Sequence, residues 1–169
     1  MKIGFLAMSA KPFHKGHLQA CKFAAGLVDI LYLCISESDR KRKGEISILG
    51  KNVKSLWGEQ FQPLIPDNVV VGFYANPLSA VYDFAVNETA STSCIVFVGE
   101  EDMERCYGEK RLEKAAPQLS IDFVPLPRFE GVSGTAVRRA MAYGDRATFA
   151  KLMPQGIDLQ KTWTVLMGR

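Results

Sequence analysis

The chain has 169 residues, 47% of them hydrophobic and 23% charged, with a formal net charge of +3. That balance is enough to bury a sizeable core and is wrong for a disordered chain. It also lacks the broad basic surface that nucleic acid binding requires, and no apolar run approaches the length of a membrane span, so neither partner is expected.

In chain order, Lys2-Ile3-Gly4-Phe5-Leu6-Ala7-Met8 is short and apolar and predicts a strand; Ser9-Ala10-Lys11-Pro12 then breaks regular structure and turns the chain. From Lys15, the residues Leu18, Cys21, Ala25 and Val28 recur at helical spacing. His14 therefore sits at or just before the first helical turn and His17 inside it, and these are both of the histidines in the chain. A second strand is predicted over Ile30 to Ile35, followed by a loop that carries the basic run Arg40-Lys41-Arg42-Lys43 between Asp39 and Glu45. Further strands over Val69 to Phe73, Cys94 to Val98 and Ile121 to Val124 alternate with helix-like stretches. A last helix start follows in Gly131-Val132-Ser133-Gly134-Thr135-Ala136-Val137-Arg138. The pattern predicts an α/β, Rossmann-like fold: a five-stranded, mostly parallel sheet with helices on both faces, in a single domain over residues 1–169. No repeat, linker or low-complexity tract divides it.

Two imidazoles three residues apart share one face of a helix start, where unpaired backbone N–H groups and the helix dipole favour an anion. Phosphate is the natural candidate. Gly16 between them has no side chain and lets a flat base or a phosphate approach the backbone. Either histidine alone reads as a cap or a surface residue; the pair with its glycine and upstream proline does not. Zinc would need a third protein ligand at defined spacing, and none is evident, so no metal ligand is assigned. At the second helix start, Ser133 or Thr135 can cap by accepting a backbone N–H, and Arg138 follows Thr135 by three residues on the same face. An open parallel sheet binds its ligands beyond the carboxyl ends of its strands, and both segments follow strands. Other phosphate motifs fail: Gly44 and Gly50-Lys51 have the wrong spacing for a P-loop, Asn52 replaces its hydroxyl residue, and the first strand lacks a dinucleotide fingerprint. Cys21, Cys34, Cys94 and Cys106 show no paired spacing and no secretory pattern is read, so reduced thiols and a cytoplasmic protein are expected.

His14-Lys15-Gly16-His17, within Pro12-Phe13-His14-Lys15-Gly16-His17, and Ser133-Gly134-Thr135-Ala136-Val137-Arg138 resemble the paired motifs of the His-x-Gly-His nucleotidyltransferase superfamily. The Ser-Gly-Thr-x-Val-Arg form looks most like nicotinamide mononucleotide adenylyltransferases. Pantetheine-phosphate adenylyltransferases usually carry Thr-x-Asn-Gly-His and cytidylyltransferases Arg-Thr-x-Gly-Ile-Ser-Thr-Thr, and neither matches here; they remain the alternatives, together with a nucleotide-binding regulator without turnover. The resemblance implies transfer of an adenylyl group from ATP, with Mg2+ on the triphosphate, to a phosphate-bearing acceptor. It implies catalytic roles for His14, His17 and Arg138, and nucleotide contacts from Ala7, Met8, Ser9, Lys11, Gly16, Gly99, Asp102, Ser133, Gly134 and Thr135. Arg40 is an expected phosphate contact in the loop, and Trp57 and Tyr82 carry rings able to stack on the acceptor. The segment Ala7-Met8-Ser9-Ala10-Lys11 departs from the usual Gly-Arg-Phe-Gln or Gly-Ser-Phe-Asn of that group. Partners are then small-molecule nucleotides, with a homo-oligomer left open.

Overall fold

Apolar runs rich in Val, Ile, Leu and Phe form strands, and they are most continuous where a parallel sheet buries both faces of a strand. In the computed structural model, which describes residues 1–90 and 92–168, five such runs become β1 (Lys2–Met8), β2 (Ile30–Ser36), β3 (Val69–Tyr74), β4 (Ser93–Gly99) and β5 (Ser120–Leu126). Their order is β3-β2-β1-β4-β5, and all four pairings are parallel. The register sets Phe5 opposite Tyr32 on one side and Val96 on the other. The chain starts in the middle of the sheet, runs outward to β3, then returns to lay β4 on the opposite side of β1. Strand order thus reverses at β1 and β4, and their carboxyl ends form the switch point at which such sheets bind ligands.

The helices are α1 (Lys15–Ala25), α2 (Gly50–Leu56), α3 (Pro77–Asn87), α4 (Met103–Tyr107), α5 (Arg111–Ala115), α6 (Gly134–Ala142), α7 (Arg146–Leu152) and α8 (Leu159–Leu166). Helices and parallel strands alternate along the chain in an α/β, Rossmann-like fold, as the alternation of periods predicts. Among the described residues, no helix is long and apolar enough to cross a membrane.

The helical spacing that includes Val28 overshoots α1, which stops at Ala25. Gly26 and Leu27 close the last turn by donating to the Lys22 and Ala24 carbonyls, and the Asn68 amide donates to the Ala25 and Val28 carbonyls at 2.9 and 3.1 Å. Val28 instead packs on the sheet, its Cγ1 lying 3.1 Å from where a Cβ on Gly4 would stand.

Contacts divide the chain into two units. The first comprises Met1–Met8, Cys21–Ser36 and Pro66–Pro127; the second comprises Ser9–Ala20, Glu37–Ile65 and Arg128–Arg169. The first is the sheet with α3, α4 and α5. Its core joins Ile3 and Phe5 of β1 and Cys94, Val96 and Val98 of β4 to Val81 and Ala85 of α3 and Leu112 of α5. Asn76 starts α3 by accepting from the Ser79 N–H at 3.1 Å, with Pro77 at the first helical position, where its missing N–H costs nothing.

The second unit is helical. Phe13 packs against Trp57 and Phe61 with ring centroids 4.9 and 5.2 Å apart, and Phe149 meets Trp163 edge-on at 5.0 Å. Aspartates cap α7 and α8: Asp145 accepts from Thr148 N–H and Asp158 from Lys161 N–H, each at 3.0 Å. The Gln60 side-chain oxygen accepts the Asp158 N–H at 2.7 Å and so holds the start of α8 beside the turn after α2.

Candidate functional site

The approach to α1 is conformationally unusual. Ala10 is buried with φ of 52°, a left-handed value that a side-chain-bearing residue rarely adopts, and the Lys11–Pro12 peptide is cis. Lys11 is only 3% exposed; its ammonium donates to the Ser9 carbonyl at 2.7 Å. Burial pulls its pKa down to about 8, against the opposing pull of the Asp39 carboxylate.

The imidazoles of His14 and His17 stack with centroids 3.7 Å apart and planes 21° from parallel. Each ring turns its Nδ1 towards the backbone. His14 Nδ1 accepts from the Gly16 N–H at 3.1 Å and from His17 N–H at 3.4 Å, while His17 Nδ1 accepts from His14 N–H at 3.2 Å. A nitrogen that accepts an N–H cannot carry a proton of its own, so in both neutral rings the hydrogen is on Nε2. Burial, then the positive charges of Arg128 and Arg138, lower the His14 pKa to about 4. Burial, then the neighbouring His14 and Lys11, hold His17 well below its ordinary value as well. At neutral pH the pair is therefore two uncharged rings that cap their own helix through Nδ1 and keep Nε2–H for another acceptor. Gly16 has no room for a side chain: a Cβ would stand 3.0 Å from His14 Cε1 and 3.1 Å from the Phe129 carbonyl oxygen.

The second motif arrives at the same place. Ser133, in extended conformation, caps α6 by accepting the Ala136 N–H at 3.1 Å. Arg138, only 6% exposed, turns back along that helix. Its Nη1 donates to the Lys11 carbonyl at 2.7 Å, a bond between residues 127 apart in sequence, and its Nη2 donates to Thr135 Oγ1 at 3.2 Å. Its Nε lies 3.3 Å from Glu45 Oε2 but lacks the alignment of a hydrogen bond. A Cβ on Gly134 would meet Arg138 Nη1 at 2.7 Å, so the glycine clears the path of the guanidinium.

Glu45 belongs to the loop that carries the basic run. Arg40 and Ile48 exchange backbone hydrogen bonds of 2.8 and 3.0 Å, and Asp39 Oδ1 accepts the Gly50 N–H at 2.9 Å, so both ends of the loop are tied. Inside it, Arg40 grips Glu45 through Nε at 3.0 Å and Nη2 at 3.3 Å. Gly44, Glu45 and Ile46 form one wall of a cleft of about 220 Å³ whose other wall is the Thr135, Arg138 and Arg139 face of α6.

The second unit thus brings together Ser9, Lys11, His14, Gly16, His17, Arg40, Ser133, Gly134, Thr135 and Arg138. Trp57 is also in this unit but is 4% exposed, set edge-on against Phe13, with its Nε1 donating to the Gln62 side chain at 2.8 Å. The remaining expected residues stand in the sheet unit. Ala7 and Met8 end β1 and Gly99 ends β4. Asp102 holds Arg105 at 2.8 Å, and the Tyr82 hydroxyl donates to the Cys106 carbonyl at 3.0 Å. Cys21, Cys34 and Cys94 are buried with thiol pKa values raised to about 12, about 12 and about 11, which leaves them protonated and inert. Two participants escaped the sequence reading as site residues: Glu45, which marked only the end of a charge run, and Arg128, whose charge reaches His14.

The donors gathered here are imidazole N–H, guanidinium and ammonium groups, which suit phosphate oxygens and not a cation. Among the described residues, no group of three or more His, Cys, Asp or Glu is arranged to hold a metal ion.

No family model and no curated protein sequence matches the chain. Solved structures do. A putative nicotinate-nucleotide adenylyltransferase from Vibrio parahaemolyticus superposes with a TM-score of 0.62 at 14% identity, covering 98% of both chains. A bifunctional NMN adenylyltransferase/ADP ribose pyrophosphatase from Francisella tularensis, complexed with AMP and a Mn ion, gives 0.59 at 17% identity over 99% of this chain and 52% of its own. Thermotoga maritima TmcAL bound with alpha-thio ATP gives 0.57 at 15% identity over 99% of this chain and 55% of its own. The chain therefore spans about half the length of the latter two and nearly all of the first. With its strand order, its parallel pairing and these superpositions, the protein shares the fold of these adenylyltransferase and TmcAL structures.

Proposed function

We propose that the protein transfers an adenylyl group from ATP to a phosphate-bearing acceptor, with nicotinamide mononucleotide as acceptor and NAD as product. In that reaction an acceptor phosphate oxygen bonds to the α-phosphorus of ATP, the bond from that phosphorus to the bridging oxygen of the β-phosphate breaks, and pyrophosphate leaves. No covalent enzyme intermediate is required, so catalysis rests on alignment and on fixed donors aimed where negative charge develops.

The observation that carries this reading is the stacked pair of uncharged imidazoles at a helix start, whose Nδ1 atoms are taken by the backbone so that each keeps an Nε2–H, fastened to the second motif by the bond from Arg138 to the Lys11 carbonyl. His14 and His17 donate to oxygens on the reacting phosphorus. The backbone of the turn at Ser133 to Thr135, Arg138 and Arg40 receive the β- and γ-phosphates, and Lys11 adds positive charge beside them. Gly16 lets the His14 ring fold down on the turn, in space that a side chain would take. Mg2+ enters bound to the triphosphate, as a companion of the substrate and not as a resident of the protein. Likeness to the Francisella NMN adenylyltransferase supports the choice of acceptor, and likeness to the Vibrio nicotinate-nucleotide adenylyltransferase supports a pyridine mononucleotide more generally; the departure at Ala7-Met8-Ser9-Ala10-Lys11 makes that choice the part to test first.

Pyrophosphate release from ATP and from CTP, measured with a panel of phosphate-bearing acceptors beginning with nicotinamide mononucleotide, checks each element. Release from ATP with formation of NAD is expected. Release with pantetheine phosphate or from CTP would reassign the acceptor or the nucleotide, and tight ATP binding without release under any acceptor would make the protein a nucleotide-binding regulator.

A further inference from the structure

The second unit holds a carboxylate where the reading above puts phosphate. Glu45 is gripped by both Nε and Nη2 of Arg40, and its Oε2 stands 3.3 Å from Arg138 Nε. Arg138 is 6% exposed, and two of its nitrogens are committed, to the Lys11 carbonyl and to Thr135. Its Nε is buried, makes no hydrogen bond, and lies beside Glu45 in the lining of the cleft. A buried donor without an acceptor is costly, and here the acceptor is present but misaligned. The carboxylate serves Arg40 well and Arg138 poorly.

We propose that Glu45 is an internal stand-in for a phosphate group: it occupies the guanidiniums of Arg40 and Arg138 in the free protein and is displaced when a condensed phosphate enters the cleft. This rests on the polyphosphate role proposed above. A terminal phosphate carries more charge than a carboxylate and has three acceptor oxygens in place of two, so it can serve Arg40 and the orphaned Arg138 Nε together. The loop is built to let go. Its ends are held by the Arg40–Ile48 pair and by Asp39, whereas Gly44, next to Glu45, has φ of +83° and nothing within 4 Å of where its Cβ would stand. Glu45 would then set a threshold against weakly charged anions and favour ligands that offer several phosphates.

A fixed brace for Arg138 would give the same picture at rest but the opposite response to substitution. Binding of inorganic tripolyphosphate to the full chain, followed by calorimetry at one low ionic strength, separates the two. Glu45→Gln, which removes the competing charge and keeps the shape, is expected to bind tripolyphosphate about three- to tenfold more tightly than the natural protein, the scale of a partly exposed ion pair. Glu45→Asp, which keeps the charge on a shorter stem, is expected between them and serves should the glutamine variant fail to fold. Unchanged or weaker binding by Glu45→Gln, with clear binding by the natural protein, overturns the stand-in and leaves the polyphosphate site intact. Absence of binding by both overturns the polyphosphate site and the stand-in together.

Discussion

The starts of α1 and α6 face one physical problem and solve it differently. Each has backbone N–H groups that the helix cannot satisfy. At α6 the Ser133 hydroxyl accepts one of them at 3.1 Å; the group proposed to receive phosphate, Arg138, is a separate residue further along the helix. At α1 the two tasks share the same side chains. The imidazoles accept backbone N–H groups through Nδ1, and that bond fixes the hydrogen on Nε2 and leaves it to donate elsewhere. A serine cap can be exchanged without touching the chemistry, whereas a histidine cap cannot.

Separating the two tasks at α1 gives the largest expected effect. His17→Ala removes an Nε2–H donor and is expected to lower turnover by about two orders of magnitude or more, the loss typical of a missing transition-state donor. His14→Asn is more discriminating, because the short amide oxygen can replace Nδ1 as the cap but cannot place a donor where Nε2 stood. Steady-state kinetics beside thermal unfolding should show His14→Asn folded and nearly inactive. Activity and thermal stability lost in the same proportion would reduce both histidines to structural caps.

Acid should also tell the two helix starts apart. The His14 pKa of about 4 lies below its ordinary 6.5, so as pH falls the unfolded chain takes up the proton before the folded one does. The stability tied to the neutral ring is complete above about pH 6.5 and is lost as pH falls towards about 4, a change on the order of 3 kcal/mol for this group. His17 adds to it in the same direction. Chemical denaturation from pH 7 to pH 4 should show that slope in the natural protein and a shallower one in His14→Asn. Glu45 and Asp39, held below the usual carboxylate range by Arg40 and by the Gly50 N–H respectively, weaken the loop only at lower pH.

The sheet was open to sequence reasoning because a parallel sheet buried on both faces writes itself as uninterrupted apolar runs, as in Ile3 to Met8 and Cys94 to Val98. The end of α1 was not, because Val28 continues the helical period and the partner that stops the helix, Asn68, is a distant residue. The two motifs were legible from spacing alone: residues three apart on a helix do meet, as His14 with His17 and Thr135 with Arg138. The imidazole tautomers were hidden, since they follow from rings folding back on their own backbone. Glu45 was hidden for another reason. It stands five residues from Arg40, a separation that matches neither helix nor strand, and only the pairing of Arg40 with Ile48 closes the loop that joins them.

The smallest effect belongs to α6. Ser133→Ala leaves the Ala136 N–H without its cap and is expected to cost about 1 kcal/mol of stability, the usual value for a lost hydroxyl cap. Turnover should change little, because Arg138 is positioned by the Lys11 carbonyl and Thr135 and not by the serine. Chemical denaturation beside steady-state kinetics on ATP checks both halves. A fall in turnover comparable to that of His14→Asn would mean that the Ser133 hydroxyl also touches the triphosphate, and the contrast between a cap that only caps and a cap that works on substrate would no longer hold.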